Sequence, residues 1–488
     1  MEVTTKTIAI PEKGLDADFI KAQLKAMKSH DVPWQSGKVL AYVYEPSAET
    51  YALTKEAYGM YLSENGLDPT AFPSLLKMEN DIIGMAANLL GGDEQTVGSF
   101  TSGGTESIML AVKTARDYYR ENHPEVTEPE LIVGETAHAA FHKAGHYLGV
   151  NVISVPVDEQ SFKINVKAME AAITPNTIML VGSSPSYAHG VIDPIEEIAV
   201  LARERQLFLH VDACVGGFYL PFLKKVGYDV PAFDFSVEGV TSMSCDFHKY
   251  GYAAKGASCV LYKNRDLRRH QIYACSSWSG YAIVNSTVLS SKTGGPLAGA
   301  WATLHHIGQE GYMNIVKASQ EATQLFLAGI QEIPELEVMG TPNANLVAVA
   351  SVDERINVFE ISDWMGAKGW HIQVQFAVSC SKEALHLSIN RANIAFIPEL
   401  LEDLKTAIKV LKAKDQPAMD FDPAMLAPLL DNMNAEAFDN LAQMMGLGGN
   451  EKGLPDEMAM INNIINKLTS TQRNALLAEF MNKLYTNS

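Results

Sequence analysis

The chain has 488 residues, of which 47% are apolar, so it is long enough to bury a large core and too apolar to be disordered. Its formal net charge of -19 includes no Lys/Arg block of the kind that contacts a phosphate backbone, which argues against a nucleic-acid partner. The start of the sequence lacks the apolar core of a signal peptide, and no apolar run approaches the roughly 20 residues that span a bilayer.

The cysteines bear on the cellular compartment. There are five, an odd number, and none of them forms a C-x-x-C pair. This pattern predicts neither a disulfide framework nor a zinc ribbon. We therefore expect a soluble protein in a reducing, cytoplasmic environment.

Four regions are predicted along the chain. Residues 1–80 combine short helical patterns with Pro and Gly turns and are expected to form an arm or cap. Residues 81–310 alternate β-branched runs with helical stretches, which predicts an α/β domain with a mostly parallel sheet flanked by helices. Residues 311–414 are expected to form a smaller α+β domain, and residues 415–488 a helical tail. The predicted strands are 131–133, 152–157, 177–181, 208–211 and 258–262, and the predicted helices are 104–120, 165–173 and 194–205.

The tail is rich in methionine and follows a polar segment, 412–423, that is typical of a linker. Methionine fills irregular gaps in a core more often than it makes a specific contact. We therefore expect the tail to pack as a core or as a lid on another domain. Its methionines are Met425, Met433, Met444, Met445, Met458 and Met460.

A glycine turn precedes the first helix of the second region, in the sequence Ser102-Gly103-Gly104-Thr105. Glycines at this place leave backbone N–H groups free to bind an anion, and the helix dipole favours negative charge there. The hydroxyls of Ser102 and Thr105 would be further donors. The turn predicts a phosphate site, although an ordinary helix start has the same pattern.

His138 stands at the predicted entrance of the next helix, and His142 and His146 follow it on one helical face. We predict no metal site here, because the run spans too far for one ion and no carboxylate accompanies it. The imidazole of His138 is better placed to stack on an aromatic cofactor.

Asp212 ends a buried strand, at the edge where open α/β sheets bind ligands. A carboxylate there can keep the ring nitrogen of pyridoxal 5'-phosphate (PLP) protonated, so that the ring draws electrons from the substrate α-carbon. The small side chain of Ala213 would let the flat ring lie close. A lone Asp at a strand end is otherwise most often a turn or helix cap.

Lys249 follows an apolar stretch and has His248 and Tyr250 beside it. A lysine that forms a Schiff base must be desolvated and oriented, because an ammonium with a pKa of about 10.4 is not a nucleophile at neutral pH. In the company of the three earlier motifs, Lys249 is predicted to carry PLP.

Taken in order, these motifs resemble the fold-type I PLP enzymes of the group II decarboxylase family. Within that family they are most similar to the sphingosine-1-phosphate lyases, over about residues 36–412. The resemblance implies the fold-type I PLP-dependent transferase fold, PLP as cofactor, and a homodimer with shared active sites. Its most specific stretches are 101–107, 189–194, 210–217 and 239–262.

The resemblance also implies roles for single residues. Lys249 would form the Schiff base, Asp212 would pair with the ring nitrogen, and His138 would stack on the ring. Gly104, Thr105 and His248 would hold the cofactor phosphate, which Ser291 would reach from the neighbouring subunit. The residues at positions matched to the substrate side are Tyr44, Asn65, Tyr187 and Lys255.

Two substrate-side positions depart from the lyase pattern. Where the lyases have Asn-Pro-Leu-His-Pro, this chain has Asp68 in place of the His, so a carboxylate stands near the expected substrate phosphate and would repel it. Lys292 stands where Arg is usual, which keeps the charge but loses bidentate geometry.

Two reactions agree with these residues. The first is retro-aldol cleavage of a phosphorylated long-chain amino alcohol to an aldehyde and phosphoethanolamine, with the proton transfers open among Tyr187, His248 and Lys249. The second is decarboxylation of an amino acid, for which Asp68 would accept a cationic or hydroxylated side chain. The overall motif match favours the first. A scaffold without activity is disfavoured, because all the cofactor residues are in place.

Overall fold

A seven-stranded sheet forms the centre of the chain, in a computed structural model that describes residues 9–414, 430–431, 433–444 and 457–485. In space the strand order is first, seventh, sixth, fifth, fourth, second, third, and the seventh strand runs antiparallel to both of its neighbours. The prediction of a mostly parallel sheet is confirmed. In chain order the strands are β1 (Val97–Thr101), β2 (Glu130–Gly134), β3 (Asn151–Val155), β4 (Thr177–Ser183), β5 (Phe208–Asp212), β6 (Ser242–Asp246) and β7 (Ser258–Tyr262).

The middle strands explain where a site can form. Strands β4, β5, β6 and β7 are buried at every position, as expected for strands covered by helices on both faces. Ser183 pairs with Asp212, and Asp212 pairs with Ser244, so the carboxyl ends of β4, β5 and β6 meet at one edge. Ligands bind at this edge in open α/β sheets.

Helices cover both faces of this sheet. Helix α4 (Gly104–Asn122) begins at the predicted glycine turn and buries Ile108, Ala111 and Ala115, which recur at helical spacing. A short hairpin, β8 (Tyr273–Cys275) with β9 (Ile283–Asn285), lies outside the main sheet. The other helices are α1 (Ala17–Lys28), α2 (Ala48–Met60), α3 (Pro73–Leu89), α5 (Ala140–Leu148), α6 (Val166–Ala171), α7 (Ile195–Glu204), α8 (Leu220–Lys225), α9 (Arg265–Arg268) and α10 (Gly294–Gln331).

A second hydrophobic core is formed mainly by residues that follow α10, and we call the region around it the small domain. Leu40, from the predicted N-terminal arm, is buried in this core, and Val39 forms a β-bridge with His371. The predicted domain boundary after residue 310 falls inside α10, two residues beyond the kink at Gly308 (φ 60°). The core consists of an antiparallel sheet of β10 (Leu336–Val338), β11 (Leu346–Ser351), β12 (Gln373–Gln375) and β13 (Ala384–Ser388), in the order β10-β11-β13-β12, with α11 (Val358–Ala367) and α12 (Ile397–Lys412).

The described part of the tail contains α13 (Ala435–Met444), α14 (Ala459–Lys467) and α15 (Ser470–Leu484). The tail has its own buried hydrophobic cluster, which includes Leu441, Ile464 and Leu476, and Met433 and Met458 pack against it. Phe376 of the second core also packs on this cluster, so the tail is attached to the small domain. Met425, Met445 and most of the predicted linker, from 415 onward, lie outside the described residues.

Within the described ranges, no helix combines the length and the apolar character that crossing a membrane requires.

Candidate active site

A cavity of about 410 Å³ opens where β4, β5 and β6 end. Its wall contains residues from widely separated parts of the sequence, because consecutive strands of a parallel sheet present their ends at one edge. The predicted site residues that line it are Gly104, Thr105, His138, Tyr187, Asp212, His248 and Lys249.

Lys249 lies in this cavity beside a buried carboxylate. Its Nζ is 2.8 Å from Oδ2 of Asp246, whose side chain is 1% exposed. Burial disfavours the charge on Lys249, but the Asp246 carboxylate outweighs burial and raises the pKa of Lys249. Burial likewise opposes ionisation of Asp246, and Lys249 reverses that effect and lowers its pKa. The pair is therefore ionic, and a proton must leave it before the amine can act as the nucleophile that the sequence predicts.

Asp212 presents one carboxylate oxygen to the cavity. Its Oδ1 accepts hydrogen bonds from the N–H of Cys214 at 3.0 Å and from Oγ of Ser244 at 2.9 Å. Behind Ser244, Nε2 of His210 lies 3.3 Å from the Ser244 hydroxyl, and Nδ1 lies 2.9 Å from Oγ of Ser242. Burial lowers the pKa of His210 to about 4, so the imidazole ring behind Ser244 is neutral at physiological pH. In the part of the chain that is described, Oδ2 of Asp212 has no bonded partner.

The glycine turn forms the end of the cavity next to α4. A Cβ at Gly104 would lie 2.7 Å from Sγ of Cys214 and 3.0 Å from both carboxylate oxygens of Asp246, so no larger residue has room there. The first N–H groups of a helix have no intrahelical partner. With the Thr105 hydroxyl, they supply donors at a positive helix end.

Two imidazoles border the cavity, and each has its orientation set by a backbone group. Nδ1 of His138 accepts a hydrogen bond from the N–H of Ala140 at 3.1 Å, and Nδ1 of His248 accepts one from Ala257 at 3.1 Å. In the neutral tautomers the proton of both rings therefore lies on Nε2. Burial lowers the pKa of His248 to about 4, so its ring is neutral at physiological pH.

Tyr187 forms the wall beside His138, and the two rings meet edge to face with centroids 6.5 Å apart. Its hydroxyl donates a hydrogen bond to Oε1 of Gln373 at 2.6 Å. Its ring stacks on His386, with centroids 4.3 Å apart. Burial, and then the neighbouring Tyr44, raises the pKa of Tyr187, so the phenol keeps its proton at neutral pH.

Tyr44 and Lys255 line a second cavity of about 420 Å³, which meets the first at His248. The Lys255 ammonium lies 5.0 Å from the centroid of the Tyr44 ring and donates a hydrogen bond to the carbonyl oxygen of Tyr42 at 2.7 Å. Desolvation of this ammonium, and then the charge of Lys249, lowers the pKa of Lys255 to about 8.

Asn65 and Ser291 lie outside both cavities, in a surface region that we call the outer patch (residues 64–68 and 286–293). A β-bridge between Asn65 and Thr293 joins its two segments. Oδ1 of Asn65 accepts the N–H of Lys292 at 2.9 Å, and Nζ of Lys292 lies 2.6 and 2.7 Å from the two carboxylate oxygens of Glu79. The charge of Lys292 is therefore compensated within the chain.

Asp68 is the exposed end of the outer patch. Its Oδ1 accepts hydrogen bonds from the hydroxyl of Thr70 at 2.6 Å and from the backbone N–H groups of Thr70 and Ala71. These bonds lower the pKa of Asp68, which therefore stays ionised. In the single chain this carboxylate caps a turn and does not enter either cavity.

Two further features noted in the sequence can be placed in the structure. Ala213 is fully buried behind the cavity lining, and its methyl group lies on the side of Gly217. Of the three histidines on one helical face, His138 lines the cavity, while His142 and His146 are exposed. Across the described residues, no cluster of three or more His, Cys, Asp or Glu side chains is arranged to hold a metal ion.

Three contributors to the site were missed by the sequence-based prediction. Asp246 stands three residues before Lys249, and that spacing is a usable signal for an ion pair. Ser244 alternates with Ser242 along β6, which places both hydroxyls on the face toward His210. Gln373 has no sequence signal, because it contacts Tyr187 from 186 positions away.

Comparison with known proteins agrees with this geometry. The family described as "Pyridoxal-dependent decarboxylase conserved domain" matches residues 4–351, and "Pyridoxal-dependent enzyme, C-terminal putative HTH domain" matches residues 420–483. The chain is 42% identical to a sphingosine-1-phosphate lyase of Oryza sativa over 422 residues, which are 85% of this chain and 76% of that protein. It is 34% identical to a probable L-aspartate decarboxylase of Pyrococcus furiosus, over 74% of this chain and 94% of that protein.

A solved structure extends the comparison to the fold. A sphingosine-1-phosphate lyase of Burkholderia pseudomallei superposes with a TM-score of 0.80 at 31% identity, over 91% of this chain and 97% of that one. The fold and the family matches define a fold-type I, PLP-dependent lyase, as the resemblance implied. The chain belongs to the pyridoxal-dependent decarboxylase family.

Proposed function

We propose that the cavity holds PLP through residues of this chain. The carrying observation is that one cavity combines a lysine, a carboxylate oxygen with no partner among the described residues, and a glycine-lined helix N-terminus. These groups suit an aldehyde, a protonated ring nitrogen and a phosphate, in that order. In this proposal Lys249 carries the cofactor covalently, Asp212 binds the ring nitrogen, and His138 stacks on the ring. Gly104, Thr105 and His248 hold the phosphate, and Ala213 supports the ring region from behind.

When bound, PLP supplies an electron-withdrawing ring that stabilises negative charge at the substrate α-carbon. The protein then has three tasks. Asp212, held by Ser244, keeps the proton on the ring nitrogen. The rim residues His138 and Tyr187 restrict the access of water. Tyr187, which lines the cavity, is also proposed to exchange a proton with the substrate.

The proposed reaction is carbon–carbon cleavage of a phosphorylated long-chain amino alcohol. The substrate β-hydroxyl loses its proton to a base, the bond between the α- and β-carbons breaks, and a carbonyl group forms on the aldehyde product. The α-carbon gains a proton, which yields phosphoethanolamine. Tyr187, His248 and Lys249 remain the candidates for the proton transfers, and Lys255 and Tyr44 are proposed to contact the substrate. The similarity to lyases at up to 42% identity supports this choice of substrate.

The test is a substrate comparison on the purified protein loaded with PLP. Formation of a fatty aldehyde with phosphoethanolamine from a phosphorylated sphingoid base is the expected result, and the Lys249→Ala variant should abolish it. Carbon dioxide and a new amine from an amino-acid panel would point to the second candidate. Turnover of neither class would overturn both.

The second candidate, amino-acid decarboxylation, is supported by Asp68 and by the decarboxylase relative. Asp68 remains ionised and exposed, so it would repel a phosphate and attract a cationic or hydroxylated side chain. The Asp68→His variant separates the two candidates. Improved turnover of the phosphorylated substrate is expected for a lyase, and unchanged turnover would contradict our reading of that position.

A homodimer is part of the proposal. The outer patch carries two residues with predicted roles, Asn65 and Ser291, yet in one chain it lies outside the cavity. In a homodimer, Asn65 and Ser291 of one chain would contact the cavity of the other chain, which agrees with both their predicted roles and their position. A cytoplasmic setting is also proposed, and the five cysteines, all of them free thiols, support it.

A further inference from the structure

Tyr187 is held from the small domain at two points. Its hydroxyl donates to Oε1 of Gln373 on β12, at 2.6 Å. Its ring stacks on His386 of β13, and Nε2 of His386 bonds to the carbonyl oxygen of Tyr187 at 2.8 Å. Gln373 and His386 are direct partners in the β12–β13 ladder, so one rung of this sheet holds both ends of the residue.

The direction of the hydrogen bond to Gln373 determines whether the Tyr187 hydroxyl can donate or accept a further hydrogen bond. Because its proton is directed at Gln373, the phenol oxygen has its lone pairs free to accept a hydrogen bond from another group. An oxygen in this state accepts a hydrogen bond from a substrate hydroxyl. Without the acceptor on Gln373, the hydroxyl would rotate, and its proton would compete for the same position.

Strand β12 is held at its end by the Tyr187 loop, and the residues just after it are held by the tail. Nε2 of Gln375 donates to the carbonyl oxygen of Ala188 at 3.1 Å, which joins the strand to the Tyr187 loop. Two residues further, the N–H of Ala377 donates to Oδ1 of Asn466 at 2.6 Å, and its carbonyl oxygen accepts from Arg473 at 3.3 Å.

Arg473 anchors this contact on the tail side. Its guanidinium donates to the carbonyl oxygens of Ile465 and Asn466 at the end of α14, at 3.2 and 3.0 Å, and lies 5.1 Å from the ring centroid of Phe376. Residues 420–483 contain nine acidic and four basic side chains, so the tail is poorly suited to contact a phosphate backbone. Its described contacts instead lead to Phe376 and Ala377 of the small domain.

We propose that Gln373 is a positioning residue that orients the Tyr187 hydroxyl, and that the C-terminal helices hold it there through Asn466 and Arg473. This inference rests on the proposed function, since it requires Tyr187 to contact substrate. It gives the tail a role in the activity of the adjoining cavity.

Two substitutions of similar size test the first half. Gln373→Met keeps the volume and removes the acceptor, whereas Gln373→Glu keeps an acceptor at the same place. The Met variant should lose about tenfold in kcat, the factor for one hydrogen bond of ordinary strength, with KM changed by less than about twofold. The Glu variant should recover most of kcat. Equal kcat in wild type and the Met variant, or equal loss in both variants, would overturn the proposal.

A measurement without substrate separates this inference from the proposed function. The melting temperatures of Tyr187→Phe, Gln373→Met and the double variant form a cycle. A hydrogen bond between the two side chains predicts that the double variant melts no lower than the less stable single variant. Additive shifts would overturn the inference even if no substrate is turned over, while a lack of turnover with a coupled cycle would count against the proposed function alone.

Two asparagines of α14 test the second half. Asn466 and Asn463 both join the tail to the small domain, but Asn463 bonds to Asn357 at 2.6 Å, away from β12. Asn466→Ala should lower kcat about threefold or more, as expected for one weakened contact, while Asn463→Ala should leave kcat unchanged. Equal kcat values in the two variants would overturn the role of the tail.

Discussion

The cavity and the outer patch both contain residues that are predicted to contact cofactor or substrate, but the hydrogen bonding of these residues differs between the two regions. In the cavity, Oδ2 of Asp212 has no partner among the described residues. In the outer patch, Asn65 and Lys292 already have partners within the chain. A polar atom on a cavity wall that has no partner is free to bind a ligand, whereas one that is already bonded holds the framework. The difference agrees with the proposal that the cavity binds the cofactor and that the outer patch, whose own bonds are already made, contacts a second copy of the chain.

The largest effect should follow from changing the cavity lysine. Lys249→Ala should lower activity on the order of 10³-fold or more, because covalent catalysis is lost outright. Reduction of the loaded protein with borohydride should fix the cofactor on position 249 in wild type, as read by peptide mass spectrometry. Lys255→Ala is the matched control and should keep that adduct. An adduct on any other lysine in wild type would contradict the assignment.

Mixed dimers test whether the outer patch acts on the cavity of the other chain. A chain with Lys249→Ala and a chain with Asn65→Ala plus Ser291→Ala should each be impaired. Random pairing would then restore roughly a quarter of the wild-type activity, because half of the dimers regain one site of two.

The control mixture pairs Lys249→Ala with His138→Ala, both within the cavity. No hybrid of these two chains has an intact site, so no recovery is expected. Absence of recovery in the first mixture as well would show that the outer patch serves its own chain or has no role.

A smaller effect is expected from the bonds behind the cavity carboxylate. Ser244→Ala removes one of the two donors to Oδ1 of Asp212 and should lower activity about tenfold, as loss of an outer hydrogen-bond partner commonly does. The visible absorbance of the loaded protein should also change its pH dependence. Ser242→Ala, two hydrogen bonds further from the carboxylate and beyond His210, should have less effect. Equal effects of the two variants would indicate a loss of stability alone.

The smallest expected effect concerns pH and the second cavity. Burial and the charge of Lys249 lower the pKa of Lys255 to about 8, so its ammonium is present below that pH and is lost above it. If this ammonium binds an anionic substrate, kcat/KM should fall as pH rises through about 8. Lys255→Arg should move this fall to higher pH, because guanidinium remains charged. Persistence of the same limb in Lys255→Met would assign it to another group.

The sequence located many of the groups that line the cavity but not how they are held. The glycine turn, His138, Asp212 and Lys249 were recognisable because they occur together and in order, although a single motif of this kind also has an ordinary structural explanation. Asp246 was overlooked, although its spacing from Lys249 was visible, because the strength of an ion pair depends on burial. Gln373 and Ser244 were out of reach, since their partners come from other strands or another domain.

What the sequence by itself determined is the alternation of apolar runs and helical stretches, and with it the mostly parallel sheet in which one strand ends at Asp212 and another is followed by Lys249. The tertiary structure decided which polar groups are satisfied. It paired Lys249 with Asp246, compensated Lys292 with Glu79, and brought Gln373 to the hydroxyl of Tyr187. Local patterns fix backbone conformation through neighbouring residues, whereas the charge and orientation of a buried side chain depend on whatever the fold packs against it.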